Sequence, residues 1–169
     1  MLAAAFSAGM MDPKRLYAED FVRWSQHQAE ALRVVAHGGS NQPLDWENLA
    51  EEIESLGISQ RSAVRSQLRR IVRHLVKLQY SSASDPRRGW IESVGDARGE
   101  IEDLLETSPS LRTGLSGDLD TETKRAVKLA IQDLRAYGEI SDADASRIGQ
   151  TRYTEDQVLG DWFPEYPKP

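Results

Sequence analysis

Apolar residues in this chain recur every three or four positions and rarely every two. That spacing lines one face of an α-helix. A first helix is expected from about Ala18 to Ala36, with Phe21, Trp24, Gln28, Leu32 and Val35 on its inner face. His37 to Pro43 is loop by composition. Asp45 is a good N-cap, and Glu47 places negative charge in the first turn, where the helix dipole favours it. Trp46, Leu49, Ile53 and Leu56 then step by three and four. Gly57 reads as a stop or kink that Ser59 can recap. The next stripe, Val64, Leu68, Ile71, Leu75 and Leu78, is one residue out of phase with the first. The expectation is two helices, about 45–56 and 59–80, or one strongly kinked helix.

Pro86 opens a further helix carrying Ile91, Val94, Ala97, Ile101 and Leu104. Ser108-Pro109 repeats that start signal ahead of Leu111, Leu115 and Leu119. Asp120 can recap a stronger run through Ala126 or Val127, Ala130 or Ile131, and Leu134, with Gly138 as its stop. Thr154 with Gln157 has the form of a capping box. The adjacent aromatics Trp162 and Phe163 are expected to fold back, because leaving both in water is costly. No β-branched run with period two suggests a strand. The architecture expected is all-α: a single-domain bundle of four to five main helices with short connections over 16–165, behind a disordered tail at 1–15. Met10 and Met11 are alternative starts.

Composition limits the chemistry. The 169 residues are 39% hydrophobic and 28% charged, contain no cysteine and carry a net charge of -6. Disulfides, thiolate zinc sites and cysteine nucleophiles are excluded. No apolar stretch approaches a membrane span, and the start lacks the basic flank and long apolar core of a cleavable signal, so a cytoplasmic protein is expected. The charge is unevenly spread. Asp45 to Glu54 holds five acids and no base, and Arg61 to Lys77 holds six bases and no acid. The basic run could contact phosphate. Its row Arg61, Arg65, Arg69, Arg73, Lys77 winds around the helix, however, and no aromatics alternate with it for base stacking. Nucleic acid is therefore the weaker reading, and partial neutralisation between two neighbouring helices of opposite sign the stronger one.

Candidate chemistry is sparse. Glu51 and Glu54 have the spacing of helical metal ligands, but Glu-x-x-His is absent, which disfavours a carboxylate-bridged di-iron centre. Both glutamates point away from the Leu49 stripe. Glu52 lies about 60° from that stripe, and His74 lies about 80° from its own, at 100° per residue. If the two helices pack, Glu52 and His74 can meet as a general acid/base pair or half of a metal site, with Lys77 or Glu51 beside them. The competing reading is a hydrogen bond that locks the helices together. His27 and His37 fall on an exposed face and in a loop. No nucleophile elbow, phosphate-binding glycine loop or calcium loop occurs. Arg69, Arg73 and Trp90 are the candidate partner contacts, since Arg and aromatic residues dominate binding hot spots.

Leu44-Asp45-Trp46-Glu47-Asn48-Leu49-Ala50-Glu51-Glu52-Ile53-Glu54-Ser55-Leu56-Gly57 resembles the signature of a bacterial family known as domain of unknown function number twenty-nine. The resemblance extends to Leu16-Tyr17-Ala18-Glu19-Asp20-Phe21 with Trp24 and Gln28, and to His74-Leu75-Val76-Lys77 with Gln79-Tyr80. It continues through Trp90-Ile91, Arg98, Ser108-Pro109-Ser110-Leu111 and the stretch from Tyr153-Thr154 to Phe163-Pro164. It implies a compact all-helical fold and no particular activity. Two departures stand out. Gln150-Thr151-Arg152-Tyr153 replaces a segment that often carries cysteine, and Arg73 stands where an apolar residue is expected.

The leading expectation is a helical protein-interaction or regulatory module with a protein partner and no cofactor; a homo-oligomer is compatible with it. A metal-binding protein or enzyme built on Glu52 and His74 is the alternative. A nucleic-acid contact through helix 59–80 is the second alternative.

Overall fold

Asp20 breaks the first helical stretch in two. In the computed structural model, which describes residues 12–39 and 42–165, α1 is Pro13–Glu19 and α2 is Phe21–His37. Asp20 is extended between them, with φ -159° and ψ 93°, and its carboxylate accepts a hydrogen bond from the Arg23 amide. A capping aspartate thus ends one helix and starts the next where a single helix from Ala18 was expected. Of the expected N-terminal tail, residues 1–11 lie outside the described residues, and Pro13 to Arg15 are already helical.

α3 is a single helix of 35 residues, Trp46–Tyr80. The two expected helices are therefore one. Gly57 does not stop α3; it is a contact point. A Cβ at this position would clash with Ser25 Oγ, so glycine lets α2 and α3 approach this closely with Ser25 in place. The apparent phase break also disappears. The buried row runs Ala50, Gly57, Val64, Leu68, Ile71, Leu75 and Leu78. Small residues, not Leu49 and Leu56, face inward in the first half.

The remaining elements are α4 (Arg87–Thr107), a short 3-10 helix (Pro109–Arg112), α5 (Leu115–Ala136), α6 (Asp142–Ile148) and α7 (Glu155–Leu159). Four helices are long, and α1, α6 and α7 are short. No strand occurs among the described residues, and no described helix is long and apolar enough to cross a membrane. The fold is all-α, as the periodicity implies. Thr154 and Gln157 form the expected capping box. α6, with its own Ser141/Asp144 capping box, is too short to leave a periodic signal.

The chain divides into two compact units, Met1–Arg61 with Leu104–Arg112, and Ser62–Asp103 with Thr113–Pro169. In the first, Leu16, Val22, Ala29, Ala50, Leu105 and Leu111 are buried. A polar knot ties it together. Asp20 accepts bonds from the Ser110 amide and hydroxyl, both at 2.8 Å. Ser108 Oγ accepts from the Val22 amide and donates to Gln60 Oε1 at 2.7 Å. Buried polar groups are tolerated when paired in this way. In the second unit, the leucines and valines of α3 from Val64 onward join Val94, Ala97 and Ile101 of α4 and the row Leu115, Leu119, Ala126, Ala130, Leu134 of α5.

Candidate functional site

The second unit carries an unusual charge arrangement between α3 and α5. Glu122 lies within the apolar row of α5, and its side chain is 0% exposed. Desolvating a lone carboxylate there would be prohibitive, so it must be matched by cations. Oε1 accepts from Arg65 Nε at 3.2 Å and Arg125 Nη1 at 2.9 Å. Arg69 Nε stands 2.9 Å from Oε2, close enough for an ion pair but not aligned as a hydrogen bond. Three helical turns further along, Asp133 receives a two-pronged contact from Arg73, 2.7 Å on each oxygen. Lys77 Nζ adds a third contact at 2.7 Å. These neighbours hold the Asp133 carboxyl below its ordinary range against the opposing effect of burial.

Arg65, Arg69, Arg73 and Lys77 of the basic run are thus paired with acids on α5, and Arg70 with Glu100 on α4, rather than with the Asp45–Glu54 acid run as expected. Within the first unit, Glu54 pairs with Arg33 of α2 at 2.6 Å. Alternating charge along one sequence says nothing about which distant helix will face it.

A cleft of about 260 Å³ opens beside this network, lined by Ser66, Arg69, Arg70, Arg73 and His74 of α3 and Leu129 of α5. On a helix, positions 66, 69, 70, 73 and 74 follow one another at three- and four-residue steps, so they share a face. The tight basic patch is this set, whereas the row of every fourth base winds away. Arg70 donates to Ser93 Oγ at 2.9 Å and lies 3.5 Å from Glu100. His74 is half-buried, and its Nδ1 has no hydrogen-bond partner in the protein. Burial, together with Lys77, Arg73 and Arg70, pulls the imidazole down to about 4, with Asp133 opposing. His74 is therefore neutral at physiological pH.

Other candidates are separated. Glu52 and His74 occupy the same helix, 22 positions apart. Being on one helix rather than two, they cannot be joined by the packing of separate helices. Glu51 and Glu52 are exposed. Among the described residues no group of three or more His, Cys, Asp or Glu is arranged to hold a metal ion. Lys77 is tied to Asp133, and its ammonium sits 5.6 Å from the Trp90 ring centre. Arg69 and Arg73 are held by Glu122 and Asp133. Glu122 and Asp133 went unnoticed in the sequence. The available signal was an acid at i+3 from Leu119 and i-4 from Ala126, inside an apolar stripe.

Residues 16–163 match the family model described as Domain of unknown function DUF29. The chain belongs to this family. It is also similar to a solved α-helical protein of unknown function from Rhodospirillum rubrum, with 26% sequence identity and a TM-score of 0.66, covering 86% of this chain and 89% of that one. No curated protein matches. Several DUF29 motif residues now have structural roles. Asp20, Ser108 and Ser110 form the polar knot of the first unit. Gly57 permits the close approach to Ser25. Arg98 gathers the C-terminal stretch, donating to the carbonyls of Gln157, Val158 and Trp162 at 2.8–3.0 Å, and packs on the Phe163 ring. The Tyr153 phenol, buried and donating to Gln79 Oε1 at 2.7 Å, fixes the start of that stretch.

Proposed function

We propose that this DUF29 protein acts as an interaction module that docks a basic amphipathic helix of a partner protein on the first half of α3. The observation that carries this reading is the fate of the stripe Trp46, Leu49, Ile53, Leu56. Its spacing is that of a helix seam, yet Leu49 is 40% exposed and Leu56 47%. Leu44 on the same stretch, and Val34 and Val35 on α2, are exposed as well. Patches of apolar side chains rimmed by charge mark interaction sites. Charge selects the occupant. Asp45, Glu47, Glu51 and Glu52 are exposed, no base stands among them in sequence, and nearby Arg33 is already paired with Glu54, so a second copy of this helix would bring acids against acids. A helix with apolar residues at three- and four-residue spacing and flanking Lys or Arg would be drawn to it.

The test is a photo-crosslinking amino acid at position 56 in the full chain, followed by purification of the captured protein. That protein should bind the wild type directly and lose at least about tenfold in affinity against Leu49→Asp, the loss of roughly one buried leucine. Unchanged binding to Leu49→Asp, or crosslinks only between copies of the chain, would refute the proposal. Retention of the wild-type melting curve by Leu49→Asp confirms that the loss is not unfolding.

A further inference from the structure

We infer that the cleft of Ser66, Arg69, Arg70, Arg73, His74 and Leu129 is a binding site for a small phosphate monoester. Three guanidiniums, an imidazole and a hydroxyl line it, and no carboxylate does. The acids that balance the arginines, Glu122, Asp133 and Glu100, bind them from outside the lining. Each of these guanidiniums keeps more than a third of its side chain exposed, so donors remain for a ligand. A guanidinium offers five N–H groups in a planar fork that matches phosphate oxygens. The cleft volume exceeds what a lone carboxylate fills, since one water occupies about 30 Å³ in the liquid. It leaves room for an ester group against Leu129.

His74 supplies the second observation. A buried polar atom without a partner costs free energy, and functional sites are where such costs persist. Nδ1 of His74 is such an atom, on a residue that lines the cleft. The charged groups facing the imidazole are Lys77, Arg73 and Arg70 on its own helix and Asp133 on α5. Burial, together with these cations, keeps the free imidazole neutral. An entering dianion offsets them and favours the imidazolium, which then donates to a phosphate oxygen. The balance is simple: ligand enters, one proton from solvent forms an N–H bond on His74, and the covalent bonds of the ligand are unchanged. Binding and protonation are linked.

The experiment is isothermal titration of the full chain with inorganic phosphate, glycerol phosphate and a short RNA strand, near pH 6.5 and in two buffers of different ionisation enthalpy. One phosphate or monoester should bind per chain, the monoester more tightly, with proton uptake seen as a buffer-dependent heat. Arg70→Gln should weaken binding by roughly tenfold or more, the size expected for a charge-assisted hydrogen bond. His74→Gln should retain weaker binding and lose the proton uptake. Circular dichroism melts establish that both variants are folded, and NMR of the His74 ring in the wild type reads the same event without calorimetry. Three results would overturn the inference: no binding up to roughly 10 mM phosphate or monoester, equal binding by the wild type and Arg70→Gln, or tighter binding of RNA than of the monoester.

Discussion

The two halves of α3 carry the same apolar spacing and meet opposite fates. In the second half, Val64, Leu68, Ile71, Leu75 and Leu78 are all buried. In the first, Ala50 and Gly57 take the inward positions while Leu49 and Leu56 stay substantially exposed. The difference lies in what each half packs against. Gly57 faces Ser25 of α2, whose hydroxyl stands where a Cβ would sit, with Val22 in ordinary contact. The second half has full-sized leucine and valine partners and gains their burial, about 25 cal/mol per Å² of apolar surface. The charged faces differ in the same way. The first half keeps Glu47, Glu51 and Glu52 in water, with Glu54 paired to Arg33, whereas the second sets Arg65, Arg69 and Arg73 against buried or half-buried acids on α5.

Four measurements can break or sharpen this contrast. The largest effect is expected for Leu75→Ala, which should lower unfolding free energy by about 3–4 kcal/mol through lost burial and a cavity. Leu49→Ala should cost less than about 1 kcal/mol. Similar losses in chemical denaturation would erase the distinction between the halves. Next, Glu122→Ala removes the buried counter-ion of Arg65, Arg69 and Arg125. A loss of about 3 kcal/mol is expected, at the low end for broken buried pairs because the arginines can partly rehydrate. A denaturant midpoint unmoved by this change would mean that Glu122 is not a structural charge.

Third, His74 should make stability fall as pH drops. Its folded value, about 4, lies below the ordinary 6.5, so between these limits the unfolded chain binds the extra proton. Stability is full above about pH 6.5 and declines toward pH 4, by of the order of 2 kcal/mol. Asp133, whose carboxyl is held low, contributes only as pH falls further, through its own depressed range. Comparing urea midpoints of the wild type and His74→Gln across pH 4–7 isolates the imidazole; parallel curves would contradict its burial as a neutral base. The smallest effect is at Gly57. Gly57→Ala gains about 1 kcal/mol of helix propensity but forces Ser25 aside, for a net loss of about 1 kcal/mol. Ser25→Ala in the same chain should restore most of it. Thermal melts of the two single variants and the double would show this coupling, and simple additivity would deny the close approach.

Much of the fold was legible in the sequence because it rests on local physics. Asp45, Pro86, Thr154 with Gln157, and Gly138, which adopts φ +68° just past α5, signal helix ends through hydrogen bonds and dihedral preferences within a few residues. The break at Asp20 is local too, but the expected helix began at Ala18 and ran through it, and the short α1 ahead of it left no stripe of its own. The candidate site was legible in part. His74 was recognisable as a boundary residue and Arg69 and Arg73 as conspicuous charges. Their assignment to Glu52 or to a partner depended on packing that periodicity does not encode. Arg70 and Ser66 joined the site only through their shared helical face and the position of α5.

By itself, the sequence determined that this is an all-helical member of its family, where most helices begin and end, and that any metal site would have no thiolate ligands. Those properties depend on composition, caps and nearest turns. Tertiary structure alone decided that Gly57 is a contact rather than a stop, that Leu49 and Leu56 face water, and that the arginines of α3 answer acids on α5. Burial and charge pairing are properties of two surfaces, and the spacing along one helix specifies only its own.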